Sequence, residues 1–168
     1  MLNILWILIP IIGWFAVGGY SIRIIKSWIK GDFNELPEFN FGEDMKLGFF
    51  MFLKSIPFII VYMIVQFILG YLKTTGMIVN FFIALFVVPI LVINFFNKET
   101  VTSYFEFEKV KPVFQNIGDY VLVLLKSIAL QIIFLVLIVV LVGIPAGAFT
   151  KNIFLADFYR RTVEQVEA

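Results

Sequence analysis

Four runs, 2–20, 47–72, 77–96 and 120–142, constrain this chain more than anything else in it, because the only charged side chains within them are Lys54 and Lys126. At a rise of 1.5 Å per residue, about 20 apolar residues cross a hydrocarbon core of about 30 Å. Backbone polar groups inside that core must be satisfied within the segment, which leaves the helix as the spanning structure for runs of this length. The expected fold is therefore all-α, an integral membrane bundle of four transmembrane helices in a single multi-pass domain over 1–168. Composition agrees, with 15% charged residues and a mean hydropathy of +1.00, far from a soluble domain that is about one quarter charged.

The run 2–20 has the length of a signal peptide, but it lacks a basic n-region and continues without a small-x-small site into a basic segment. It reads as a retained spanning helix in which Pro10 is tolerated as a kink. Lys73-Thr74-Thr75-Gly76 is so short a connection that the second and third spans must form an antiparallel hairpin.

Between the first two spans lies an amphipathic linker, 21–46. Arg23, Lys26, Ser27 and Lys30 fall at i, i+3, i+4 and i+7, opposite Ile22, Ile25 and Ile29, as in a helix lying in the lipid interface. Gly31 should end that helix, and Asp32, Glu35, Glu38, Glu43 and Asp44 make the next stretch an acidic, solvated turn around Leu36-Pro37. A second linker covers 97–119. After the fourth span, 143–147 (Gly-Ile-Pro-Ala-Gly) breaks the helix, and 152–166 forms a C-terminal amphipathic helix. In it Leu155, Tyr159, Thr162 and Val166 share a face, and Asp157–Arg161 and Arg160–Glu164 are candidate ion pairs.

A weak repeat runs through this order. Leu53-Lys54-Ser55-Ile56 is echoed by Leu125-Lys126-Ser127-Ile128, and Phe39-Asn40-Phe41 by Phe105-Glu106-Phe107, which suggests two hairpins related as a parallel repeat. Chance recurrence in a chain rich in Lys and Ile explains the echo equally well. For topology, Arg23, Lys26, Lys30, Lys46, Lys98, Lys109 and Lys111 fall in the two long linkers, against Lys73, Lys151, Arg160 and Arg161 on the other side. The positive-inside rule then puts both linkers in the cytoplasm of a cell-membrane protein and both termini outside, with Tyr20 and Trp28 as interface anchors.

Candidate site residues follow from this layout. Arg23, Lys26, Lys30 and Trp28 are expected to contact anionic lipid headgroups or a partner. Lys54 and Lys126 either snorkel to that interface or face one another across the repeat around an anionic group. Gln66 and Gln131 are intramembrane polar groups best explained by helix-to-helix hydrogen bonds, as are Asn80 and Asn94. The chain has no Cys and no His, which removes disulfides, thiolate chemistry and the commonest metal ligand and general base. No nucleotide, calcium, zinc or hydrolase motif occurs, so no catalytic, cofactor-binding or metal residue is assigned. A formal net charge of +1 gives no footprint for nucleic acid.

At Gly19-Tyr20-Ser21-Ile22-Arg23, followed by Leu36-Pro37-Glu38-Phe39, the chain resembles the archaeal and bacterial membrane proteins grouped as domain of unknown function 4013. The likeness extends to Phe105-Glu106-Phe107 and Ile117-Gly118-Asp119-Tyr120. What the resemblance implies is a small multi-pass protein of a prokaryotic, archaeal cell membrane, and it transfers no site residues. Two functional readings remain: a non-catalytic membrane scaffold or accessory subunit working through lipid and protein contacts, or a small channel or transporter formed as a homo-oligomer.

Overall fold

The structure is a computed structural model that describes residues 3–31, 36–137 and 152–164, with side chains described over 12–31, 36–135 and 152–163. Expectations that fall on Asp32, Glu35, 138–151, the Glu164 side chain and Val166 lie outside these residues. Among the described residues the chain is all-helical, with no strand.

Helix α1 (Asn3–Ile29) runs unbroken through the first apolar run and the basic stripe. The stripe is therefore the last part of a long helix and not a separate one. Its apolar face packs on protein: Ile22, Ile25 and Ile29 are 5%, 4% and 2% exposed. An apolar stripe is equally compatible with lipid and with a neighbouring helix, so periodicity alone does not choose between them. Gly31 ends the helix as expected, with φ of 78°, a backbone conformation glycine adopts without a steric penalty.

Helix α2 (Phe41–Tyr71) starts six residues before the expected span at Leu47, because Asn40 and Asp44 cap it. The Asn40 Oδ1 accepts from the Glu43 N–H at 3.4 Å, and the Asp44 Oδ2 accepts from the Asn40 N–H at 2.8 Å. This reciprocal satisfaction of orphan donors follows capping-box logic. Helices α1 and α2 then cross backbone to backbone. A Cβ added to Gly19 would lie 1.8 Å from the Asp44 carbonyl oxygen, and one added to Gly48 would lie 2.0 Å from that of Phe15. Only glycine fits at either position, the small-residue packing through which membrane helices approach closely.

The third apolar run is one rod, Lys73–Lys98, made of α3 (Lys73–Phe82), a π-turn (Ile83–Val87) and α4 (Val88–Lys98). The hairpin turn from α2 is tighter than Lys73–Gly76, with Lys73 at φ of 49° already opening α3. Antiparallel pairing brings Tyr62 and Gln66 of α2 to Asn80 of α3, at 3.3 and 2.5 Å. Pro89 has no N–H for the Leu85 carbonyl four residues back, and the π-turn falls at this place. That carbonyl instead accepts from the Tyr120 hydroxyl at 2.6 Å. Tyr120 belongs to α6 (Ile117–Leu137) and thereby ties α6 to the rod.

The second linker folds back onto the bundle. Two 3₁₀ turns, Val101–Phe105 and Phe107–Val110, lead into α5 (Lys111–Gln115). The Tyr104 ring stacks between Phe58 and Phe95, with centroids 4.3 and 4.0 Å away. The C-terminal helix α7 (Ile153–Tyr159) continues into a π-turn, Arg160–Glu164. Its Leu155, Ala156, Phe158, Tyr159 and Val163 are buried in one cluster with Ile25, Ile29, Ile93, Val113 and Tyr120.

That packing corrects the expected placement of the C-terminal segment. Arg161 lies 3.9 Å from Asp119 at the start of α6, and Tyr159 bonds to α4, so Arg160 and Arg161 stand at the linker end of the bundle and not opposite it. Of the expected ion pairs, Arg161 meets Asp157 at 2.9 Å, and Arg160 also meets Asp157 at 2.9 Å.

Among the described residues, three helices are long and apolar enough to cross a membrane: Phe41–Tyr71, Lys73–Lys98 and Ile117–Leu135. The expected first span, 2–20, falls largely on side chains outside the described residues. The two halves are packed differently, since α1 and α2 meet at glycines whereas the rod and α6 meet through Tyr120.

Gly48→Ala is expected to destabilise the protein by about 1–3 kcal/mol through overpacking at the crossing. Gly18→Ala, whose Cβ would meet no atom within 4 Å, is expected to leave the crossing intact. Thermal melts followed by size-exclusion in detergent check the pair, and equal melting temperatures would contradict the glycine crossing.

Candidate functional site

At the linker end the polar side chains of several segments converge. Arg23 on α1 uses both arms of its guanidinium: Nη1 donates to Asp44 Oδ1 at 2.9 Å and Nη2 to the Glu38 carbonyl at 3.0 Å. Asp44 is fully buried, its side chain 0% exposed, against 28% for Arg23. This overturns the reading of Asp44 as solvated linker charge. Desolvating a carboxylate is tolerable only if it is paired and hydrogen-bonded, and here Arg23 and the Asn40 N–H supply both.

One turn further along α1, Lys26 bonds to the Glu99 carboxylate. Glu99 caps α4 in the left-handed conformation, with φ of 55°. Its carbonyl accepts from Lys54 Nζ of α2 at 2.9 Å. Two ammonium groups from two helices thus converge on one acidic residue held in a backbone conformation that non-glycine residues seldom adopt.

A third cluster joins α4, the second linker and α7. Asn94, fully buried, donates to the Ser103 carbonyl at 2.8 Å and to Glu106 Oε2 at 3.0 Å, and its Oδ1 accepts from the Tyr159 hydroxyl at 2.5 Å. Lys98 completes the cluster on Glu106 at 2.6 Å. Burial disfavours the charge of Glu106, but the hydrogen bonds from Lys98 and Asn94 and the charges of Lys98 and Lys109 outweigh it, so its carboxyl lies below the ordinary glutamate range. Burial pushes the Tyr104 hydroxyl above the ordinary tyrosine range.

Beside the first two clusters lies a groove of about 440 Å³. Trp14, Phe15, Gly18 and Ile22 of α1 form one wall, Gly48, Met51, Phe52 and Ser55 of α2 the other, and Phe95, Phe96 and Tyr104 the floor. Its lining is almost wholly apolar. Trp14 at its rim is 78% exposed.

Of the residues singled out by sequence, Arg23, Lys26 and Lys54 come together at this end, each with an acidic residue as partner. Trp28 packs partly buried against the core, and Lys30 is exposed. Lys126 is exposed on α6, an environment unlike that of Lys54 despite the shared Lys-Ser-Ile. Gln66 bonds to Asn80, whereas the Gln131 Nε2 is buried without a hydrogen-bond partner among the described residues. Sequence reasoning missed Asp44, Glu99, Glu106 and Tyr159. For Asp44 alone a signal was present: an acidic residue four positions after Asn40, the pattern of a helix start. No group of three or more metal-ligating side chains occurs among the described residues.

Arg23→Gln is expected to destabilise the protein by about 3–5 kcal/mol, since it leaves the Asp44 carboxylate buried and unpaired. Arg23→Gln combined with Asp44→Asn removes that charge and is expected to recover most of the loss. A double-mutant cycle of melting temperatures checks this, and additive losses would contradict the pairing.

No curated protein and no solved structure is matched by this chain. The family described as a protein of unknown function, DUF4013, matches residues 2–143, and these include the glycine crossing, both linkers and Lys26, Lys54 and Glu99. The chain belongs to that family of proteins of unknown function.

Proposed function

We propose that this protein is a non-catalytic membrane scaffold or accessory subunit that engages lipid and a protein partner at its linker end. The observation that carries this reading is the consumption of polar side chains at that end in pairs that bind segments together. Arg23, Lys26 and Lys54 join α1 to α2 and α4, and Asn94 joins α4 to the second linker and α7. Such pairing builds a rigid cap and orders a surface. The rim of that surface carries exposed Phe39, Phe41, Phe107 and Phe114 alongside exposed Lys30, Lys46 and Lys111, the aromatic and basic mixture suited to headgroups.

The alternative, a homo-oligomeric channel, calls for a wet path lined by Gln66, Gln131 and Lys54. Gln66 is engaged with Asn80 and Lys54 with Glu99, and none of the three lines the groove. The scaffold reading also places the linkers in the cytoplasm of a cell membrane. With Arg160 and Arg161 at the linker end, the basic residues there increase, and of the described residues expected at the opposite end Lys73 is left.

Native mass spectrometry of the protein gently extracted from its own membrane is expected to show a stoichiometric foreign polypeptide. A partner-free homo-oligomer would overturn the scaffold reading. Because the chain has no Cys, single cysteines report topology cleanly. Thr74→Cys at the hairpin turn should react with an impermeant maleimide on intact cells, and Glu108→Cys only after lysis; the opposite pattern would reverse the orientation.

A further inference from the structure

We infer that the groove between α1 and α2 is a binding site for one anionic phospholipid of the surrounding membrane, an acyl chain in the groove and the phosphate at Lys26 and Lys54. This deepens the proposed function, since it rests on the reading that the protein is embedded in lipid, and it names the lipid class. The groove is apolar along its length. From Trp14 to Ile22 its α1 wall runs eight residues, roughly 12 Å at 1.5 Å per residue, with apolar side chains at every contributing position but Gly18.

One turn beyond Ile22 along α1 stands Lys26, and one turn beyond Phe95 and Phe96 stands Glu99. The ionic cluster therefore stands beside the groove, one turn past its lining on α1 and α4. Lys26 meets the Glu99 carboxylate and Lys54 the main-chain carbonyl of the same residue, so two ammonium groups stand around one carboxylate and one positive charge is in excess where an apolar slot opens. A phosphate offers the complementary charge and acceptor oxygens, and a lipid is the ligand that joins such a phosphate to a hydrocarbon chain. Glycine keeps the slot open: a Cβ at Gly18 would meet nothing within 4 Å, so the space beside it is unfilled. Ser55 on the facing wall turns its hydroxyl onto the Phe52 carbonyl at 2.7 Å, which leaves the slot a dry wall.

The test uses the full chain, delipidated in detergent and titrated in native mass spectrometry with phosphatidylglycerol and phosphatidylcholine of identical acyl chains. The wild type is expected to retain one phosphatidylglycerol, with a preference of about fivefold over phosphatidylcholine, as one net ammonium contributes near an anionic group. Gly18→Leu and Ser55→Leu, which fill the slot from opposite walls, should each lose the retained lipid. Lys26→Gln, which leaves one ammonium group and one carboxylate there and so no net charge, should keep a lipid and lose the preference.

The wild-type titration decides without any variant, since retention of no lipid, or equal retention of the two, overturns the inference. Undiminished retention in both leucine variants also overturns it. Failure of the protein to float with liposomes would instead sink the membrane reading beneath it, so the two failures are distinguishable.

Discussion

The crossing of α1 and α2 at Gly19 and Gly48 is the contact on which the other arrangements depend. It brings two backbones closer than any side chain permits, and by doing so it carries Arg23 to the buried Asp44. The order of cause is physical. With the helices this close, one guanidinium fork serves both the Glu38 carbonyl and the Asp44 carboxylate. The ion pair in turn holds the Leu36–Asn40 turn against α1 and fixes where α2 begins. Hydrophobic burial does little to hold membrane helices together, because lipid tails are as apolar as their partners. Close backbone packing and a few well-placed polar contacts take that role here.

The same economy explains the linker end. Each cluster there links segments distant in sequence: Lys26 to Glu99, Lys54 to Glu99, Asn94 to Tyr159. Where a helix cannot satisfy its own backbone, a side chain from elsewhere does so. Pro89 deprives the Leu85 carbonyl of a donor, and the Tyr120 hydroxyl replaces it. The bundle is thus pinned by polar contacts, most of them near one end, while the helices able to span a membrane leave much apolar surface outward, with Phe67, Met77 and Leu135 each more than 60% exposed. Such a surface is ordinary for a protein whose solvent is lipid.

A good part of the fold is legible in the residues. Runs of apolar side chains announce 47–72, 77–96 and most of 120–142 as helices, and the short 73–76 connection announces the hairpin. Gly31 announces the end of α1. Among polar residues, Asn80 bonds to α2 and Asn94 to α7 as helix-to-helix partners, whereas the Gln131 Nε2 has no hydrogen-bond partner among the described residues. The site is less legible. Asp44 in an acidic run resembles solvated charge, and Glu99 in a polar linker has no motif around it. Their roles depend on which helix passes beside them.

By itself the sequence determined that this protein is helical, that it is built for a membrane, and where most of its helices lie. Those properties depend on local hydrophobicity and backbone propensity, which each segment carries with it. Only the tertiary structure decided that the basic stripe turns its isoleucines to protein, that Asp44 is buried with Arg23, and that the C-terminal helix returns to the linker end to meet Asn94. An amphipathic face looks the same whether lipid or another helix covers it, and a charge looks the same whether water or a guanidinium satisfies it. The choice between them is made by close packing between segments far apart in the chain.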